Sequence, residues 1–329
     1  MSKHIPVLAN EVVQFSSFLT GSTKLGLDVT FGLGGHSRLL LDNYPDFKLI
    51  VIDKDDSTRL EAAKSFDGFK DRFQSYHSCF SEIESLKHVV DREYLDQVGE
   101  LRFDLILADL GISSVQLDNP ERGLSFKSDS SLDMRMNQNQ DLTAEIVLNT
   151  YSERDLFLVF AKGGVGARSK ALARAVVSDR PFNTTSEFRE LCNSVLRSKS
   201  GRNSNRGSDL ATVPFQAVRI EVNNEFENLK MFLVSAIKLM NPGSRLLVIS
   251  FHSLEDKIVA GVMRWWGAVR DRGLHPEDAP LGKILTRKPI KPSEEELQNN
   301  SRSRSAMLRV FERNDVPLWV EREFLTDKI

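Results

Sequence analysis

Apolar runs and amphipathic stretches alternate along the first third of the chain. Leu25 to Phe31 is apolar, Ser37 to Asn43 carries a helical stripe, Leu49 to Asp53 is apolar again, and a helical pattern follows through Ala63. Another helix is expected around Ser81 to Val90, ahead of the buried run Phe103 to Gly111. Short apolar segments separated by amphipathic ones are the grammar of βαβ units, hence of a parallel sheet.

The period then changes. From about Asp118 to Thr212 no convincing strand occurs, whereas Ala144 to Val147, Glu153 to Phe160, Lys170 to Val177 and Ser186 to Leu196 each fit a helical stripe. The stretch ends in Arg197 to Ser208, whose polar, basic, Gly- and Ser-rich composition is that of a mobile loop. Sheet grammar then resumes. One long helix is expected over Pro214 to Met240, then a turn at Asn241-Pro242-Gly243 and a buried strand from Arg245 to Phe251. Ser305 to Glu312 could supply a last strand, antiparallel at the sheet edge. The expected fold class is therefore α/β, with a sheet domain in two parts, 1–117 and 213–329. An all-helical domain, 118–212, is inserted between the fourth and fifth strands.

Between the first strand and its helix lies Asp28-Val29-Thr30-Phe31-Gly32-Leu33-Gly34-Gly35-His36-Ser37. Glycines there allow positive φ and close approach of a ligand, and the free N–H groups opening the helix can hold its polar end. The dinucleotide fingerprint G-x-G-x-x-G would require a third glycine where this chain has Ser37. Asp28 also suits a ligand bearing an amine better than one presenting a pyrophosphate. The loop is thus expected to take S-adenosylmethionine in preference to NAD. Asp53 closes the next apolar run, where an acid in an open α/β sheet accepts hydrogen bonds from ribose hydroxyls. As a plainer alternative, it begins the following helix as a cap.

Composition adds limits. With 329 residues, 40% hydrophobic and 27% charged, the chain suits a soluble globular protein that buries a proper core. No secretory leader and no run of about 18 apolar residues is evident, so a cytoplasmic location is expected. Cys79 and Cys192 lie far apart, which indicates neither a disulfide framework nor a zinc site. The net charge of −2 hides an asymmetry, because residues 162–206 hold ten Lys or Arg against Asp179, Glu187 and Glu190. Residues 283–309 are also basic. Basic regions on an acidic body suit a locally gripped polyanion such as RNA or DNA. A solvated helix face plus a mobile tail would give the same pattern.

In open α/β sheets the reactive crevice lies beyond the carboxyl ends of the strands, where Asp109 leaves the fourth strand. Asp109 is the first candidate to accept a hydrogen bond from an amine awaiting methylation; capping a turn is the alternative. Methylation at cytosine C5 would want a cysteine in this loop, and neither cysteine falls there, so the acceptor is expected to be nitrogen or oxygen. Asp133 is the second catalytic candidate, with Phe126 as a base-stacking surface and Arg135 as a phosphate contact. Domain packing or a surface ion pair would explain these three equally well. His252-Ser253-Leu254-Glu255-Asp256 contains the residue types of a hydrolase triad, but adjacency in sequence does not make one. Ser253 with Asp256 is expected to form a capping box.

Taken together, these segments resemble the bacterial ribosomal small-subunit (16S) rRNA cytosine-N4 methyltransferase family (RsmH/MraW). The likeness rests on His4 to Leu8, Asp28 to Ser37, Asp104 to Asp118, Arg122 to Phe126, Leu132 to Met136, Phe215 to Ile220, Ser250 to Asp256 and Arg302 to Arg309. It implies a class I, Rossmann-like methyltransferase with an inserted helical substrate-recognition domain, S-adenosyl-L-methionine as methyl donor, and a decoding-region cytosine of 16S rRNA as acceptor. Matched by position, Gly34, Gly35, His36, Asp53, Phe80, Asp109 and Gln116 would hold the donor. The chain departs from the family at Gly164-Val165-Gly166, and at Asp209 to Val213, where the usual His-Pro-Ala-Thr-Arg is missing. Two other functions remain in play, a nicotinamide-dependent oxidoreductase and a non-catalytic RNA-binding assembly factor.

Overall fold

The apolar runs pair side by side. Strands β1 (Lys24–Asp28), β2 (Phe47–Asp53), β3 (Phe73–His77), β4 (Phe103–Asp109), β5 (Met240–Ser250), β6 (Gly282–Ile284) and β7 (Met307–Arg313) form one seven-stranded sheet in the order β3-β2-β1-β4-β5-β7-β6. Strands β1 to β5 run parallel, and β7 is antiparallel to both of its neighbours. The computed structural model describes residues 5–21, 23–96, 98–112, 117, 119–125, 129–197, 209–269 and 279–318. Its chain divides into two compact units, Met1–Gly111 with Phe226–Ile329, and Ile112–Glu225.

In the sheet unit, side chains alternate between two apolar layers, as the two-residue period of a strand requires. Leu27, Ile50, Ile52, Ile106 and Ala108 join one cluster with Phe232, Leu233 and Trp266. Leu49, Val51, Leu105 and Leu107 join the other, with Val12 of helix α1 (Ala9–Phe15) and Leu40 and Leu41 of α2 (Gly35–Asn43). Covered on both faces, the sheet offers polar groups at its strand tips. Register places Asp28 opposite Val51 and Leu107, Asp53 opposite His77, and Asp109 opposite Ile249. Three acids thus end three adjacent strands on the carboxyl edge.

Several elements differ from the pattern. β3 carries a half-buried, largely polar sequence, so the apolar signal that marks its neighbours is missing. β6 is only three residues long. The C-terminal strand is not at the edge, because β6 pairs outside it. The single long helix divides at Asn224, which takes a left-handed φ of 51°, into Thr212–Asn223 and Glu225–Leu239. Asparagine tolerates that conformation better than most residues. Asn241-Pro242-Gly243 lies within β5, where the pairing with β4 shifts register, and the Ser81 region forms a 3-10 segment, Phe80–His88, kinked at Glu82.

Among the described residues, five α-helices of at least seven residues build the other unit: Ala144–Thr150, Glu153–Lys162, Ser169–Ser178, Thr185–Leu196 and Thr212–Asn223. Thr143, Ser152 and Thr184 cap the starts of three of them, the last as a full capping box with Glu187. Phe160, Phe188 and Phe215 fill the core between them. At Gly163 an added Cβ would lie 2.2 Å from that of Ala217, so this glycine permits the close approach of two helices. Cys192 is buried here, and burial pushes its thiol well above the ordinary range, so it is not a nucleophile. The basic stretch 198–208 lies outside the described residues. Among the described residues no helix is long and apolar enough to cross a membrane.

Candidate active site

The chain leaves β1 at Asp28 and turns through Gly32 and Gly34, with φ of 51° and 75°, into α2. Gly34 caps that helix without a side chain, and the first bond into it runs from the Arg38 N–H to the Gly34 carbonyl at 2.9 Å. The N–H groups of Gly35, His36 and Ser37 therefore open the helix without a partner in a preceding turn. Gly34 is fixed by packing as well as by φ, since a Cβ there would lie 2.6 Å from Phe66 and 2.8 Å from Phe31. Gly34→Ala is expected to destabilise the protein by roughly 2–4 kcal/mol, from the left-handed backbone and the overpacked aromatics. The midpoint of urea unfolding checks this, and an unchanged midpoint contradicts it.

Asp28 points into the protein interior. It is 1% exposed, its Oδ1 accepts the Thr30 N–H at 3.0 Å, and its Oδ2 accepts the Ser37 hydroxyl at 2.6 Å. Burial raises its pKa despite those bonds. The expectation that Asp28 meets a ligand's amine is thus corrected: its carboxyl is consumed in tying the loop to the helix start. Ser37, the residue that broke the dinucleotide fingerprint, is the other half of that tie.

Asp53 is half-buried at the tip of β2. Its Oδ2 accepts the Gly32 N–H at 2.7 Å and its Oδ1 the Asp55 N–H at 2.8 Å. Burial nonetheless raises its pKa to about 6. The cap of the next helix, α3 (Asp56–Ala63), is Asp55, which accepts the Thr58 N–H at 3.2 Å, so Asp53 does not serve as that cap. Each carboxylate oxygen has a second lone pair available to a hydroxyl.

Asp109 ends β4, and its N–H donates to the Thr30 hydroxyl at 2.6 Å. Its Oδ2 lies 3.5 Å from Nε2 of His36. Oδ1 is buried with no hydrogen-bond partner among the described residues, and so are both ring nitrogens of His36. Buried polar groups left unpaired cost about 1–3 kcal/mol each, and native proteins rarely keep them without a reason. Polar demand beside a glycine turn and an open helix start fits a small polar ligand such as S-adenosylmethionine. Phe80, just past β3, is half-buried and meets Phe232 edge-on at 5.6 Å between centroids. Gln116 and Phe126 lie outside the described residues.

In the helical unit, Asp133 and Arg135 are engaged with each other. The Arg135 Nε lies 3.0 Å from Asp133 Oδ1 and its Nη2 2.7 Å from Oδ2, while Nη1 donates to the Gln138 and Gln140 carbonyls. Burial alone would raise the Asp133 carboxyl, but the Arg135 hydrogen bonds outweigh it and hold the pKa below the ordinary range. Asp209, at the departure from the family pattern, pairs with Arg189 at 2.7 Å.

The capping box after β5 forms one residue earlier than expected. His252 caps α4 (Ser253–Trp266), accepting the Glu255 N–H on Nδ1 at 3.2 Å, while Glu255 Oε2 accepts the His252 N–H at 3.3 Å. Asp256 instead forms a two-point ion pair with Arg309, at 2.6 and 2.9 Å. His252 and Asp256 of the apparent triad therefore have structural partners. Thr30 and Asp55 were not legible as site residues from sequence; each acts through a short backbone turn that leaves no pattern.

A parallel sheet with one reversed strand between the last two, a glycine turn after the first strand and acids at three neighbouring tips define a Rossmann-like class I methyltransferase fold. Residues 1–314 match the MraW methylase family, and the chain belongs to it. It is 44% identical over 97% of its length to a ribosomal RNA small subunit methyltransferase H of Acaryochloris marina, 97% of which is covered. Proteins of the same name from Caldicellulosiruptor saccharolyticus and Thermotoga neapolitana are 40% and 39% identical, over 95% and 94% of this chain and 100% and 95% of theirs.

Proposed function

We propose that this protein methylates the exocyclic N4 of a cytosine in the decoding region of small-subunit 16S rRNA, in the cytoplasm, using S-adenosyl-L-methionine. Family membership and the names of its relatives support the class of reaction and substrate. The observation that carries the site is the unpaired Oδ1 of Asp109 beside the glycine turn. When bound, S-adenosylmethionine supplies an electrophilic methyl on a sulfonium that leaves as a neutral thioether.

The chain's own task is then positioning. The N–H groups opening α2 at Gly35 and His36, after the turn at Gly34, receive the donor's polar end; Asp53 accepts its ribose hydroxyls; Phe80 lies beside its base, and Asp109 and Gln116 complete the pocket. Amine attack requires an in-line lone pair at near-attack distance with water excluded. In cytosine that pair is delocalised into the ring. A hydrogen bond from N4–H to Asp109 Oδ1 localises it, and the same oxygen takes the proton released as the N–C bond forms. Asp133 is the weaker candidate, because Arg135 already occupies both its oxygens. We assign that pair to holding its own loop, with Phe126 proposed to stack on the base.

Calorimetric titration with S-adenosylmethionine and with NAD tests the donor. Binding of the first alone is expected, and binding of NAD alone would overturn the assignment. On the RNA side, Lys162, Lys170 and Arg197 are exposed on the helical unit. Binding to 16S rRNA is expected to weaken with salt, each phosphate contact adding about 0.7–0.9 to the log–log slope, so the double variant Lys162→Ala/Lys170→Ala should flatten it by about 1–2. An unchanged slope would remove these lysines from the RNA contact.

A further inference from the structure

His36 stands at the second position of α2 with its ring 6% exposed. Its Nε2 faces Asp109 Oδ2 at 3.5 Å, but neither ring nitrogen has a hydrogen-bond partner among the described residues. A buried imidazole kept only for packing would find a carbonyl or give way to an apolar side chain. Here two incompletely satisfied groups point at each other, and the fold takes care over the backbone of both. Asp28 receives the hydroxyl of Ser37, the residue after His36, and the N–H of Thr30. The Thr30 hydroxyl in turn receives the Asp109 N–H. One buried carboxyl thus anchors the main chain on both sides of the His36–Asp109 gap.

We infer that His36 is the positioning residue for Asp109. Its Nε2–H donates to Oδ2 in the working enzyme and so turns Oδ1 toward the amine to be methylated. A carboxylate is free to rotate about its last bond until one oxygen is held; fixing Oδ2 orients the other. The imidazole keeps its proton throughout, and the proton lost by the amine goes to Oδ1. The main-chain N–H of His36 remains free for the donor. This inference rests on the role given above to Asp109, and it assigns the imidazole to the acid instead of to the donor.

The test compares His36→Ala with His36→Gln, whose amide nitrogen reaches about as far as Nε2. Single-turnover transfer, donor dissociation constant, KM for rRNA and melting temperature are measured for each. His36→Ala is expected to slow transfer by about 10²-fold, the scale of a small misplacement of a reacting group, with donor affinity and KM within about threefold of wild type. His36→Gln should recover most of the rate. In an Asp109→Ala background the loss of His36 should add nothing further, since residues acting as one unit are not additive. If His36→Ala melts, His36→Asn, whose amide is too short to reach Oδ2, takes its place and should be as slow. Weakening of donor binding in proportion to the rate, a wild-type rate in the alanine variant, or multiplying losses with Asp109→Ala would each overturn the inference. Failure of the underlying reading looks different: the wild-type protein would itself bind no donor, or Asp109→Ala would turn over normally.

Discussion

Asp109→Ala is expected to slow methyl transfer by about two to four orders of magnitude, the range lost when a positioned general base is removed. The fold should survive. Asp109 sits at a strand tip, its side chain makes no hydrogen bond among the described residues, and its backbone bond to Thr30 does not depend on the carboxyl. A melting temperature close to wild type with a collapsed single-turnover rate is therefore the expected pair of results. Turnover at the wild-type rate would remove Asp109 from the mechanism and leave its unpaired oxygen unexplained.

The next largest effect is expected at Asp53. Hydrogen bonds to a charged group contribute about 1.5–3 kcal/mol, so Asp53→Ala should weaken donor binding by roughly ten- to a hundredfold. It also leaves the N–H groups of Gly32 and Asp55 without their acceptor, so some stability is lost with the affinity. The pH dependence separates the two. With a pKa near 6 in the donor-free protein, Asp53 is ionised at pH 7.5 and largely protonated at pH 5. The ionised form is the better acceptor for ribose hydroxyls, so donor affinity should fall by up to about tenfold per pH unit below 6. The contribution to folding has the opposite sign. Because the folded-state pKa lies above that of the unfolded chain, this group binds more protons when folded between the two values, and its contribution to stability rises as pH falls through about 6. A donor affinity flat from pH 7.5 to 5 would contradict the ribose role.

How much of this was legible in sequence follows from what leaves a periodic signal. β1, β2, β4 and β5 are buried on both faces and read as apolar runs; the helices of the second unit show clear stripes. β3 was not legible because Phe73 to His77 is only half-buried and mostly polar. The reversed strand was legible but its place was not, since the three-residue β6 that pairs outside it is too short to announce itself. Asp53 and Asp109 are legible as strand-tip acids because each directly follows an apolar run. Asp28 carries the same signal yet points inward, and only the Ser37 hydroxyl, one turn into the next helix, decides that. The capping box after β5 lies one residue before the Ser253–Asp256 spacing, because histidine is a rare cap and its Nδ1 does the work usually given to serine. Burial and pairing between distant residues, as in the joining of Asp256 to Arg309, lie outside what local spacing can show.

The most direct measurement is nucleoside mass spectrometry of small-subunit rRNA lacking the modification, incubated with this protein and S-adenosylmethionine carrying an isotopically labelled methyl group. Labelled N4-methylcytidine is expected at one decoding-region position, absent with Asp109→Ala. Label on a ring carbon, label on another base, or no label in any rRNA would contradict it.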